Sequence, residues 1–209
     1  MCFSAPASFV ASGVLAGIGG ASMKIAKGRD RFVAAIPFIF GIQQALEGIV
    51  WLLPEGNIWR LGAAYGFLFF AFLFWPVYIP LVFRSLESNV HRKKAMLVFV
   101  AVGLFVALFL LVNLLLESIS IRIEGGHIVY ALLSGTQFVV PIVIAYVFAV
   151  CGSLLSSSHH LMRWIGVCLF LFAGISALSS LVAFTSVWCF FSAILSCLLY
   201  GYLWQKRTK

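Results

Sequence analysis

Charge is scarce in this chain. Of 209 residues only 10% are charged, and six acids stand against fourteen Lys and Arg. Aspartate occurs once, at Asp30. A soluble globular domain carries about 25% charged residues. So little charge could not cover a chain that is 63% hydrophobic, which excludes a water-soluble globule. Six acids also exclude a disordered chain, a charged coiled coil and a halophilic surface. Local metal and redox spacings such as HExxH and CxxC are missing too. What remains is long hydrophobic runs, the signature of an all-α, multi-pass membrane protein.

A spanning helix needs about 20 apolar residues to cross about 30 Å of hydrocarbon. Seven runs meet that length: 6–26, 32–53, 58–83, 95–116, 129–155, 161–184 and 186–204. They predict seven transmembrane helices forming a single domain over residues 1–209. Membrane strands are excluded, because they need only about 9–11 alternating residues and these runs are continuous.

The net charge of +8 is distributed by segment. Lys24, Lys27, Arg29 and Arg31 follow the first run, and Arg84, Arg92, Lys93 and Lys94 follow the third. Arg163 follows the fifth, and Lys206, Arg207 and Lys209 follow the last. Only Arg60 and Arg122 fall on the opposite side. Cytoplasmic loops collect Lys and Arg, so the N-terminus is expected outside and the C-terminus in the cytoplasm. That arrangement requires an odd number of spans, which seven supplies. The basic residues therefore read as topology and lipid head-group signals, not as a nucleic-acid surface. No basic region precedes the first run, so that span is expected to be retained and not cleaved.

Small residues let helices approach closely in lipid. The rows Gly13–Gly17–Ala21 and Ser12–Ala16–Gly20, with Gly41, Ala45 and Gly48 and with Ala173, Ala177 and Ser180, place the first, second and sixth spans at the centre. The fourth span, rich in Leu, Phe and Val, is expected to face lipid. Pro37, Pro76, Pro80 and Pro141 are expected to kink their helices.

Polar groups inside the spans are the candidates for chemistry. Glu47 sits within an otherwise apolar run, at an insertion cost of about 2.5–3.5 kcal/mol. Gln43 and Gln44 precede it by four and three residues, and Trp51 follows by four, so all four share a helix face. The functional reading is an outward-facing site for a small solute, ion or proton. The bland reading is a neutral Glu hydrogen-bonded to the glutamines. Asn113, Glu117, His127, Ser134, Thr136, Gln137, Cys2, Ser4 and Cys189 are expected at the same outer depth. Gln137 is the one of these assigned to the solute site. Cys2, His127 and the carboxylates of Glu47 or Glu117 form a mixed set suited to zinc. A Cys2–Cys189 disulfide is the rival use of that thiol. His159 and His160 read as a solvated loop.

The opening Met1-Cys2-Phe3-Ser4-Ala5, followed by Phe40-Gly41-Ile42-Gln43-Gln44, Glu47-Gly48 and Trp51, resembles a family of uncharacterised bacterial integral membrane proteins, DUF6629. The resemblance lies in the first two spans. It implies that Cys2, Gln43, Gln44, Glu47 and Trp51 belong to one shared feature, and a multi-pass protein of the bacterial inner membrane. Two other seven-helix classes do not fit. Retinal proteins need a lysine in the last span, and zinc ceramidase-like enzymes need histidines and an aspartate within theirs.

Three functions stand open. The first is a protein that binds or transports a small solute or ion, proton-linked through Glu47. The second is a membrane-embedded zinc enzyme. The third is an accessory subunit whose polar residues act as interhelical glue. The expected partners are the bilayer and a small solute or ion, with homo-oligomers allowed.

Overall fold

The computed structural model describes residues 4–117, 119–124, 126–132, 137–179 and 184–208. In chain order they form α1 (Ala5–Ile25), α2 (Asp30–Leu52), α3 (Ile58–Leu86) and α4 (Val90–Leu116). A two-stranded hairpin of β1 (Ser120–Glu124) and β2 (His127–Ala131) follows. It is succeeded by α5 (Val139–Leu155), α6 (His160–Ser179) and α7 (Phe184–Arg207). Six of these helices are long and apolar enough to cross a membrane, and α5, of 17 residues, is shorter. Such a series of apolar helices is that of a multi-pass membrane protein.

Helix ends follow the local sequence. The Ser4 side chain caps α1 by accepting from Ala7 N, and Pro6 sits in the first turn, where no backbone donor is needed. Asn57 Oδ1 accepts from the amides of Trp59 and Arg60 at the start of α3. Asn89 does the same for His91 and Arg92, so α4 begins several residues before its apolar run.

The fifth span departs from expectation. Residues 129–131 were expected in a helix and instead lie in β2. The flanking Ser-Ile-Arg-Ile-Glu and His-Ile-Val-Tyr segments are rich in β-branched and aromatic residues, and Gly126 takes a φ of 76° in the turn between them. That pattern favours a hairpin over a helix. Pro141 consequently falls in the first turn of α5, where its missing N–H is no loss, and it terminates nothing.

The chain divides into two compact units. Among the described residues the first takes in α1, α2, α3 to Leu68, residues 123–128 and α7 from Ser186. The second takes in α3 from Phe69, α4, α5 and α6.

In the first unit α1 and α2 form a close antiparallel pair, turned by Gly28 at a φ of 53°. The contact is made by Gly19 against Phe38, Gly41 against the backbone at Ser12 and Ala16, and Gly48 against the Phe9 ring. The expected row Gly13–Gly17 and the position Gly20 instead face open space. Small-residue spacing repeats on more than one face of α1, so spacing alone could not choose the face. Nor is α1 central: barely a fifth of its span is buried, against more than half of α2 and α3. The sixth span, also expected at the centre, exposes Phe170, Leu171 and Leu178, while Ala173 is buried and Ser180 lies outside the described residues. Lys206 Nζ pairs with Asp30 at 2.8 Å, joining the end of α7 to the start of α2.

In the second unit two prolines organise the packing. Residues Phe69–Phe74 of α3 form a π turn, with hydrogen bonds from i to i+5. In that register the carbonyl of Ala71 would pair with the nitrogen of Pro76, which carries no hydrogen. The freed carbonyl accepts from Tyr146 Oη of α5 at 2.6 Å instead. Pro80 likewise frees the carbonyl of Pro76 four residues earlier, and Gly103 of α4 packs directly on that oxygen. The rest of α4 exposes Leu104, Phe105, Leu108 and Leu115, as a lipid-facing helix should. Tyr146→Phe would leave a buried carbonyl unpaired. We expect it to lower stability by about 1–3 kcal/mol in detergent unfolding, and an unchanged midpoint would refute this role.

The loops of this unit are tied together. The Glu87 carboxylate accepts from Asn89 N at 2.9 Å, Ser158 N at 2.8 Å and Ser158 Oγ at 2.7 Å. Arg92 Nη1 donates to the carbonyls of Ser156 and Ser157, both at 3.4 Å. His160 opens α6 and accepts from the indole of Trp164.

Candidate functional site

The most polar buried surface belongs to α2. Gln43, Gln44 and Glu47 are each fully enclosed, at 0% exposure. Gln44 and Glu47 are three residues apart, so the helix places them on adjacent turns of one face. Trp51 continues that face with its indole nitrogen buried.

One partner closes on Glu47 from α7. Ser186 Oγ donates to Glu47 Oε1 at 2.5 Å. The other carboxyl oxygen, Oε2, has no hydrogen-bond partner among the described residues. Gln44 lies beside the same carboxyl group. Neither its oxygen nor its nitrogen makes a hydrogen bond of regular geometry among the described residues. Trp51 Nε1 is likewise buried with none. The cluster thus presents a carboxyl oxygen, a carboxamide and an indole N–H that other side chains leave open.

Arg60 was expected only as one of two basic residues on the outer side. It is 4% exposed, on the buried face of α3 with Ala63, Ala64 and Phe67. Its Nη1 lies 3.8 Å from Glu55, whose side chain is exposed, while Nε and Nη2 have no partner among the described residues. The spacing of Arg60, Ala63, Ala64 and Phe67 at i, i+3, i+4 and i+7 was the available signal for its burial. Ser186 offered none, since a serine at a span end is ordinary.

Gln137 is exposed in the turn leading into α5. Glu117 is exposed at the C-terminal end of α4. His127 is half-buried in β2, and Cys189 is buried in α7. Cys2, Ser134 and Thr136 lie outside the described residues. Among the described residues no three His, Cys, Asp or Glu side chains gather as metal ligands.

The sequence model of a family of unknown function, DUF6629, matches residues 1–209. The likeness read in the first two spans therefore extends over the whole chain. No curated protein and no solved structure matches it.

Proposed function

The chain belongs to the DUF6629 family, whose function is unknown, and we propose that it binds a small polar solute or cation at the intramembrane cluster of Glu47, Gln44, Trp51 and Ser186. Glu47 is the ionisable centre, Ser186 fixes one of its oxygens, and Gln44 orients what approaches the other. The site opens toward the outer face, with the C-terminus in the cytoplasm. The twelve basic residues on one set of segments support that orientation. So does the Asp30–Lys206 pair, which joins two of those segments. The Arg92 contacts with Ser156 and Ser157 agree as well. Protonation of Glu47 links occupancy to pH, and a solute released inward would be transported.

One observation carries the reading. Several buried polar atoms around Glu47 find no protein partner among the described residues. An unmade buried hydrogen bond costs about 1–3 kcal/mol. A purely structural network would have closed on itself, whereas a binding site keeps such groups available at the expense of stability.

Thermal unfolding of the detergent-purified chain separates the two. Methylammonium chloride should raise the melting temperature of the wild type above that in equimolar sodium chloride, and Glu47→Gln should abolish the difference. Gln44→Met should stabilise the ligand-free protein by about 1–2 kcal/mol, because it removes an unsatisfied amide. A destabilised Gln44→Met together with no methylammonium effect would overturn the proposal in favour of interhelical glue.

A further inference from the structure

Arg60 lies outside the cluster just described, yet it is a buried cation with donors to spare. Its depth follows from the register of α2 and α3. A Cβ on Gly66 would meet Leu46 Cδ1 at 3.1 Å, so these two residues stand side by side on antiparallel helices. Counting from that level toward the 53–57 turn, Glu47 lies about 1.5 Å along, Trp51 about 7.5 Å and Arg60 about 9 Å, at 1.5 Å per residue. Trp51 and Arg60 therefore share a level, and Glu47 sits about 6–8 Å deeper.

The two levels have opposite chemistry. The deeper one offers the open carboxyl oxygen of Glu47 and the Gln44 carboxamide. The shallower one offers donors, Trp51 Nε1 and Arg60 Nε and Nη2, all buried and without partners among the described residues. The amides of Trp59 and Arg60 are already taken by Asn57, so the guanidinium and indole must supply the hydrogen bonds. Glu55 meets this pole at Nη1 alone, 3.8 Å away and from an exposed side chain, so Nε and Nη2 stay available. Arginine suits such a position because its planar fork matches carboxylate and phosphate oxygens.

We infer that the ligand is a small zwitterion, held with its oxyanion between Arg60 and Trp51 and its ammonium at Glu47. This rests on the reading of Glu47 as a binding centre and adds the second pole. Ammonium plus oxyanion is a chemistry shared by free amino acids and by the phosphatidylethanolamine head group.

The test compares butylammonium, butyrate and 4-aminobutyrate as stabilisers of the purified full chain at matched ionic strength. The zwitterion should act at concentrations at least about tenfold lower than butylammonium, a difference of about 1.4 kcal/mol. Arg60→Gln should erase that advantage while leaving the methylammonium response intact. Trp51→Phe, which removes one donor and keeps the ring's bulk, should weaken the advantage several-fold and guards against misfolding of the arginine variant. A zwitterion no better than butylammonium, or an advantage that survives Arg60→Gln and Trp51→Phe, would overturn the inference while leaving the Glu47 site standing. Silence from every probe, methylammonium included, would overturn both. Repeating the titration in phosphatidylglycerol nanodiscs with and without phosphatidylethanolamine identifies the source. Competition by phosphatidylethanolamine supports the head group, and an unchanged affinity supports a free solute.

Discussion

Gly103→Ala is expected to destabilise the protein by roughly 3 kcal/mol, toward the upper end of overpacking costs. A Cβ at this position would fall on the carbonyl oxygen of Pro76, which is backbone and cannot rotate away. The clash cannot be relieved by moving α4 outward without withdrawing Gly103 from the oxygen that Pro80 leaves without its helical donor. Gly174→Ala in α6 is the internal control. Nothing lies within 4 Å of a Cβ there, so the same substitution should stabilise by about 0.5–1 kcal/mol through helix propensity. Unfolding of both variants in mixed detergent micelles measures the contrast. Equal effects of the two substitutions would refute the close approach at Gly103.

The second large effect concerns Glu87. Removing its carboxylate in Glu87→Ala deprives Asn89 N, Ser158 N and Ser158 Oγ of their acceptor together. Hydrogen bonds to a charged group are worth about 1.5–3 kcal/mol each, so a net loss of about 3 kcal/mol is expected. The same group makes stability depend on pH. Burial pushes the Glu87 carboxyl upward, but the bonds from Asn89 and Ser158, with the nearby Arg92 charge, outweigh it and hold the group below its ordinary value. A carboxyl group lowered in the folded state stabilises the fold above its unfolded value, about 4.3, and loses that contribution as pH falls through the folded value. Wild type should therefore weaken below about pH 4.5 more steeply than Glu87→Gln. Parallel pH profiles would refute the linkage.

The membrane class and the helical runs were legible because hydrocarbon thickness fixes how many apolar residues a span needs. The seven runs anticipated the helices, with the start of the fifth displaced furthest, from 129 to Val139, and with Phe184 opening α7 where it was expected to end the sixth span. Val129–Ala131 satisfied hydropathy equally as strand or helix, and only the turn around Gly126 distinguished them. The isolation of Glu47 was legible too, since an acid in an apolar run is costly wherever it packs. Its contact with Ser186 was not, because 139 residues separate them and no local pattern links them. The burial of Arg60 was not anticipated. It was counted only as a topology signal, while the i, i+3, i+4, i+7 face it shares with Ala63, Ala64 and Phe67 indicated burial. The prolines were expected as kinks. Pro76 and Pro80 release carbonyls, which Tyr146 and Gly103 then meet.

The π turn of α3 also constrains how this helix can change in length. A π turn holds about one residue more than an α turn within the same revolution. Deleting one residue between Phe69 and Phe74 would turn the π turn into an α turn and restore ordinary hydrogen bonding, while Trp75, Ile79 and Phe83 keep the face that they now bury. Within this segment the chain can lose one residue without misdirecting the side chains beyond it, and what such a deletion disturbs is the spare carbonyl that Tyr146 meets.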